Sequence, residues 1–360
     1  MAFPADWAGY ASPNSLLPPS SSLSNFTYLI SLSEMPASWW SNVKSDGGDI
    51  RVTKSDGSTQ LPFDLIEWDY ASQTGILAIQ YTGTQTTSPD DFYIWAGDAS
   101  ATLPAAGDTY GQYNTYESGI KCFYPNGGGN DRTVNALNLT MTGATTGDSD
   151  GPINGSKATN YNGTNQKASR SSGAQSGDCL FLAHFYDTKG AGTSVIFARS
   201  SAAGNIGAGI FLISSTSEQI AVYRDGAGSP VSTSTGTSTP LNNWGAGGSG
   251  FDATAGQIFT RSYLGANNAV SSSDGDGGTT GIFIAAGGST NYWGGRVANA
   301  LYKTDLTNKD DFMDYWFSMI DASDPDQSNF YGGWTWTANS GPSSFNPAWA
   351  KNSNQVLNYA

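Results

Sequence analysis

Few side chains in this chain are spaced as acid–base catalysis requires. The single histidine, His184, lies in the run Cys179-Leu180-Phe181-Leu182-Ala183-His184-Phe185-Tyr186. A general base needs access, a nucleophile and an orienting acid. One position in an apolar strand supplies none of these, so His184 reads as a structural residue. With no other histidine in the sequence, His-ligated zinc and a second histidine base are excluded. Glycoside hydrolysis instead needs two carboxyl groups about 5–9 Å apart across a cleft. Glu67 and Asp69 share a strand face at i and i+2, but no third partner or cleft signal accompanies them. Residues 121–330 hold one glutamate, Glu218, in the polar run Ser214-Ser215-Thr216-Ser217-Glu218-Gln219. The expectation is a protein without enzymatic activity.

Residues suited to binding are better supplied. Sugar recognition uses aromatic platforms flanked by amide or carboxylate hydrogen-bonding groups. Three segments offer that combination: Asn242-Asn243-Trp244, Asn291-Tyr292-Trp293 and Tyr331-Gly332-Gly333-Trp334-Thr335-Trp336. The carbohydrate-binding candidates are Trp244, Asn291, Tyr292, Trp293, Trp334 and Trp336, against the plainer reading that such aromatics fill cores and contacts between modules. Two acidic loops, Ser273-Asp274-Gly275-Asp276-Gly277-Gly278 and Gly147-Asp148-Ser149-Asp150-Gly151, make Asp274, Asp276, Asp148 and Asp150 candidate calcium ligands. Neither loop has the twelve-position pattern of an EF-hand, and Asp and Gly also favour ordinary turns.

These residues need a scaffold, and the composition specifies one. The 360 residues include 45 Gly and are 12% aromatic, as expected of turn-rich β structure. No run approaches the roughly 18 apolar residues of a membrane span, so no membrane insertion is expected. A net charge of −14 repels phosphate backbones and excludes nucleic acid as the expected partner. Residues 1–120 carry 3 basic and 13 acidic side chains, and the last thirty carry only Lys351. Cys122 and Cys179 match no metal or disulfide spacing, so two buried thiols are the expectation, with a single bridge as the alternative.

Strands are predicted at Phe26–Leu32, Asp49–Thr53, Phe63–Trp68, Gly75–Tyr81 and Asp91–Ala96, separated by turns such as Asp56-Gly57, with a helical turn over Pro36–Val43. The Pro- and Ser-rich opening over 1–22 reads as an arm. Both faces of Cys179–Tyr186 are apolar, which predicts a central strand covered on both sides. Phe312, Trp316, Met319 and Ile320 fall at helical spacing after an imperfect capping box, Thr307 with Asp310, and predict one amphipathic helix packed on a sandwich.

The order Gly48-Asp49-Ile50-Arg51-Val52-Thr53, Asp56-Gly57 and Leu61-Pro62-Phe63-Asp64-Leu65 resembles a β-sandwich module of unassigned function that often precedes LamG domains in bacterial and phage proteins. Four later segments, Ala158–Thr164, Cys179–Tyr186, Ser217–Asp225 and Gly281–Val297, resemble a concanavalin A-like jelly roll of the LamG or pentraxin type. Some relatives of that kind are glycosidases, but the Glu-x-Asp-x-x-Glu strand of the laminarinase type is absent here. The resemblance implies an all-β protein of two β-sandwich modules. The expected boundaries are an arm over 1–22, a first module over 23–120, a jelly roll with one short helix over 121–330, and an aromatic docking tail over 331–360. Calcium is the accessory ion that it implies.

The opening Met1-Ala2-Phe3-Pro4-Ala5-Asp6-Trp7 reads as lacking a secretory leader, since the first basic residue is Lys44. With the module order, this makes a bacteriophage virion protein the expectation, assembled in the host cytoplasm and displayed on a tail fibre, tail tip or capsid surface. Its expected partners are other virion proteins, host cell-surface glycan and further copies of itself. The alternatives are a capsid decoration protein without sugar binding, and a bacterial surface lectin or glycan hydrolase.

Overall fold

The computed structural model describes residues 6–89, 91–175, 177–188, 194–200, 206–213, 218–224, 230–238, 241–263, 267–271, 281–286, 292–321 and 323–339. The chain divides into two units, one of Met1–Thr115 with Asp326–Ala360 and one of Tyr116–Pro325. Both are built from β-sheet, as the composition predicts, and no helix among the described residues is long and apolar enough to cross a membrane.

The first unit contains β1 (Gly9–Pro13), β2 (Leu23–Ser31), β3 (Arg51–Lys54), β4 (Phe63–Asp69), β5 (Thr74–Gln85) and β6 (Phe92–Ala96), with a helical turn, α1 (Ala37–Asn42), directly after Pro36. Strands β2, β5 and β4 form one antiparallel sheet. Strands β3, β6 and β1 form a second with the returning segment Trp334–Ala338. Tyr28 of β2 meets Phe92 of β6 with ring centroids 5.3 Å apart, and both are fully buried, which places the core between the sheets. The Asp56-Gly57 turn forms as predicted. Its carboxylate accepts hydrogen bonds from the Thr59 hydroxyl and from the Thr59 and Ser58 amides, which hold its pKa down at about 2.

The ends of the chain differ from the sequence expectation of an arm over 1–22 and a docking tail over 331–360. Trp334–Ala338 pairs antiparallel with β1, from Gly9 opposite Ala338 to Pro13 opposite Trp334. The reason is edge satisfaction: β1 has β6 on one side and would otherwise leave its other ladder open. Gly9 makes the approach possible, because a Cβ there would sit 2.6 Å from the Trp336 indole. The part of the tail from 340 onward lies outside the described residues.

In the second unit the strands are β7 (Ile120–Tyr124), β8 (Thr140–Thr142), β9 (Ser149–Asp150), β10 (Lys157–Asn162), β11 (Lys167–Arg170), β12 (Cys179–Asp187), β13 (Ser194–Ser200) and β14 (Ile206–Ile213). They continue with β15 (Glu218–Arg224), β16 (Pro230–Ser238), β17 (Trp244–Asp252), β18 (Gln257–Ser262), β19 (Asn267–Ser271), β20 (Gly281–Ile284) and β21 (Gly294–Lys303). The described residues form an eight-stranded sheet, ordered β19-β18-β17-β12-β21-β10-β9 with β7 also on β21, and a seven-stranded sheet, β16-β15-β14-β13-β20-β11-β8. The chain crosses between them at β10–β11–β12–β13 and again at β19–β20–β21, so the two sheets form the expected jelly-roll sandwich.

Strand alternation assigns the two faces of β12. Cys179, Phe181, Ala183 and Phe185 join the inter-sheet core with Ile196, Ile210 and Ile284. Leu180, Leu182, His184 and Tyr186 therefore point to the other face, which is covered by α2 (Lys309–Met319). The predicted central strand covered on both sides is observed. Gly248 on β17 shows how closely the helix sits, since a Cβ there would lie 2.4 Å from Met313 Sδ and 2.6 Å from Leu182 Cδ2.

Ion pairs fix the helix: Arg261 of β18 bonds Asp314 and lies 3.8 Å from Asp310, and Lys309 Nζ donates to Asp252 Oδ2 at 3.0 Å. The expected capping box does not form. Asn308 takes the N-cap position in the left-handed region (φ 52°), while the Thr307 amide donates to Asp305 Oδ1 and leaves its hydroxyl out of the cap. Cys122 and Cys179 are both free and buried, and burial pushes the Cys122 thiol well above its ordinary pKa.

Candidate functional site

A cavity in the second unit is set by a mismatch of lengths. Strand β12 has nine residues and runs about 30 Å, whereas the eleven residues of α2 span about 16 Å. Met313 lies over Leu182 and Phe317 lies near His184, so the helix runs with the strand and ends before it does. Beyond the helix terminus no helix among the described residues covers the sheet face. A cavity of about 360 Å³ opens there.

Its floor is His184 and Tyr186 of β12 with Trp244 and Ala246 of β17, which are cross-strand partners: Tyr186 faces Trp244, and His184 faces Ala246. Phe317 and Ile320 form the wall left by the helix, Tyr263 and Asn243 another, and Asp321 and Ser323 a polar rim. Trp244 is half-buried and meets Tyr186 edge-on, with centroids 5.7 Å apart. Arg296 lies over the Tyr186 ring at 4.9 Å without lining the cavity. Burial raises the Tyr263 hydroxyl's pKa, and the Asp321 charge adds to the effect.

His184 is 1% exposed, and neither Nδ1 nor Nε2 has a partner of full hydrogen-bond geometry, although the Ile320 backbone lies near enough to act on the ring. Burial drives its pKa down from 6.5 to about 3, opposed by the neighbouring Ile320 backbone, so the ring is neutral at pH 7. Leaving a buried polar group unanswered costs about 1–3 kcal/mol, a cost that a packed core normally avoids. Chemically, the cavity offers aromatic ring surface for an apolar face, one carboxylate, an amide, hydroxyls and a poorly answered imidazole.

The sequence candidates separate clearly. Trp244 is at the site, and Asn243 beside it is exposed on the rim. Trp293 is not a platform: it is 1% exposed and belongs to the inter-sheet core. Tyr292 is half-buried and does not line this cavity, and Asn291 lies outside the described residues. Trp334 and Trp336 belong to the first unit, where Trp334 packs on Tyr331 and Phe92 at 5.2 and 6.1 Å and Trp336 covers Gly9. Both rings are half-buried, Trp334 against core aromatics and Trp336 across the strand pairing.

Asp148 and Asp150 each have a partner within the second unit. Asp148 Oδ1 accepts from the Asn160 amide at 2.9 Å, Asp150 is ion-paired with Lys157 at 3.0 Å, and no group of three or more His, Cys, Asp or Glu is gathered for a metal among the described residues. Asp274 and Asp276 lie outside the described residues. Sequence reasoning missed His184, Tyr186, Tyr263 and Asp321 as one group. The available signal was the i, i+2 spacing of His184 and Tyr186, which puts both on one strand face. The end of α2 that uncovers them is a property of the packing.

No family model matches the sequence, and no curated protein matches it. Solved structures with some likeness include the botulinum neurotoxin serotype D binding domain, 11% identical over 55% of this chain and 51% of that one, with a TM-score of 0.40. Domain 4 of AbnA, a GH43 extracellular arabinanase from Geobacillus stearothermophilus, in complex with arabinotriose, is 16% identical over 56% and 99%, with a TM-score of 0.40. Trypanosoma rangeli sialidase in complex with the inhibitor DANA is 11% identical over 70% and 42%, with a TM-score of 0.42. The chain spans about half the length of the toxin binding domains it matches. Likenesses this distant carry no functional argument, and the site's own geometry has to supply it.

Proposed function

We propose that this chain is a non-enzymatic glycan-binding protein whose site is the cavity at Trp244. The observation that carries the reading is the half-buried Trp244 indole at the edge of a concave site with polar groups from Asn243, Asp321 and Ser323 on its rim. Saccharides present C–H faces that stack on aromatic rings and hydroxyls that need oriented polar partners. Glycoside hydrolysis requires a pair of carboxyl groups, and Asp321 is the single carboxylate among the described lining residues.

The proposal extends to a bacteriophage virion protein that displays this module on a tail fibre, tail tip or capsid surface, in symmetric multiple copies, towards host-surface glycan. What supports that extension is the resemblance of residues 48–65 and of the later strands to a module pair found in phage proteins, together with the physics of avidity. Single sugar sites are weak, and repeated copies strengthen attachment without new contacts. The test is adsorption of the labelled protein to candidate host cells, before and after periodate oxidation of their surface glycans. Saturable binding that oxidation and Trp244→Ala both abolish is the expected result. Absence of binding by a folded, oligomeric sample would overturn the glycan reading in favour of a decoration protein.

A further inference from the structure

The inner end of the cavity narrows the class of sugar. His184 lines the cavity, is 1% exposed and has no partner of full hydrogen-bond geometry at either ring nitrogen, the Ile320 backbone alone offering it a polar contact. A neutral imidazole holds one N–H donor and one lone-pair acceptor. The nearest ring in the wall is Phe317, 6.4 Å away centroid to centroid and nearly perpendicular, and it answers neither group. A hydroxyl donates and accepts at once, so a polyol satisfies this imidazole without any change in charge.

The charges on the described lining disfavour the other saccharide class, the Arg296 guanidinium being taken up over the Tyr186 ring at 4.9 Å. Asp321 stands at the rim, and no Lys or Arg is among the described lining residues. The burial of His184 keeps it uncharged, so it provides no counter-ion. The chain as a whole carries −14. A uronic or sialic acid brought here would place its carboxylate against Asp321 in a partly desolvated site, where like charges repel strongly. A volume of about 360 Å³ is at the small end for ligand sites and suits a terminal unit rather than a long stretch of polymer.

Resting on the glycan-binding reading above, we infer that the cavity takes the terminal residue of a neutral saccharide, an uncharged pyranose stacked on Trp244 with hydroxyls hydrogen-bonded to His184, and that His184 is its specificity-determining residue. Retention of a poorly answered imidazole at the inner end of a cavity is then explained by the ligand that answers it.

The test is an NMR titration of the full chain with methyl glycosides of glucose, galactose, mannose and rhamnose, and with those of glucuronic and N-acetylneuraminic acid. Wild type, His184→Phe, His184→Gln and Trp244→Ala are compared, with each variant's Tm recorded. At least one neutral glycoside is expected to bind wild type, with the acidic ones about tenfold weaker or worse. His184→Phe should raise Tm, since it removes an unsatisfied polar group, and weaken neutral-sugar binding by about tenfold. His184→Gln, which keeps a donor and an acceptor, should retain more of that binding than His184→Phe.

Acidic glycosides bound as well as neutral ones, in a manner lost in Trp244→Ala, would overturn this inference and leave the glycan reading standing. Undiminished neutral-sugar binding by His184→Phe would overturn the role of His184. Failure of wild type to bind either class would overturn both readings. The neutral-versus-acidic comparison needs neither His184 variant and stands even where those variants do not fold.

Discussion

At the scale of single residues, burial and pairing decide what each titratable group does. His184 has a folded-state pKa of about 3 against 6.5 for the free side chain. Its neutral form is favoured by folding, so its contribution to stability is complete above pH 6.5 and is lost as the pH falls towards 3. The slope is about 1.4 kcal/mol per pH unit within that window. Chemical denaturation of wild type and His184→Phe between pH 7 and pH 4 should show this slope in wild type and its absence from this position in the variant. Asp131 illustrates the opposite use of a buried polar group. Its carboxylate accepts from the amides of Phe123, Thr133 and Leu137 at 3.0, 2.9 and 2.8 Å, and from the Thr133 hydroxyl at 2.9 Å. Asp131→Ala leaves three amides without that acceptor and is expected to destabilise the second unit by about 2–5 kcal/mol in urea melts. His184 and Asp131 are both buried and polar, and only Asp131 is fully answered from within the protein.

At the scale of elements, α2 both completes the sandwich and, by ending early, makes the cavity. The helix was legible in the spacing of Phe312, Trp316 and Met319, and the strands in short apolar runs between Gly- and Asp-rich turns. The site was legible only at Trp244. Trp244 and Trp293 look alike in sequence, each following Asn or Tyr in a turn-rich stretch, yet Trp293 is in the core and Trp244 is at a rim. That difference arises from the face each ring takes, Trp293 between the sheets and Trp244 on the α2 side beyond the helix end, which no local pattern encodes. The close seat of α2 depends on Gly248, where a Cβ would meet Met313 and Leu182. Gly248→Val should cost about 2 kcal/mol or more, as overpacking does, and should loosen the cavity wall at Phe317. Calorimetry and glycan titration of that variant would register both effects.

At the scale of the whole molecule, the first unit is discontinuous in sequence: residues before 116 need the segment after 325 to finish their sheet. That pairing was missed because Trp334-Thr335-Trp336 reads equally as an exposed aromatic tail and as a strand, and its partner lies more than 300 positions away. Truncation after Pro325 removes the edge strand together with the buried Phe330 and Tyr331. It should abolish the first unit's cooperative unfolding and leave that of the second, a difference that calorimetry resolves. The central claim, that a saccharide docks on Trp244, is tested most directly by following the indole N–H signals of the 11 tryptophans during titration with a bound neutral glycoside. The account predicts a saturable shift at Trp244, with Trp293 in the core and Trp334 and Trp336 in the first unit unmoved. An unmoved Trp244, or shifts at Trp334 and Trp336 in its place, would contradict it.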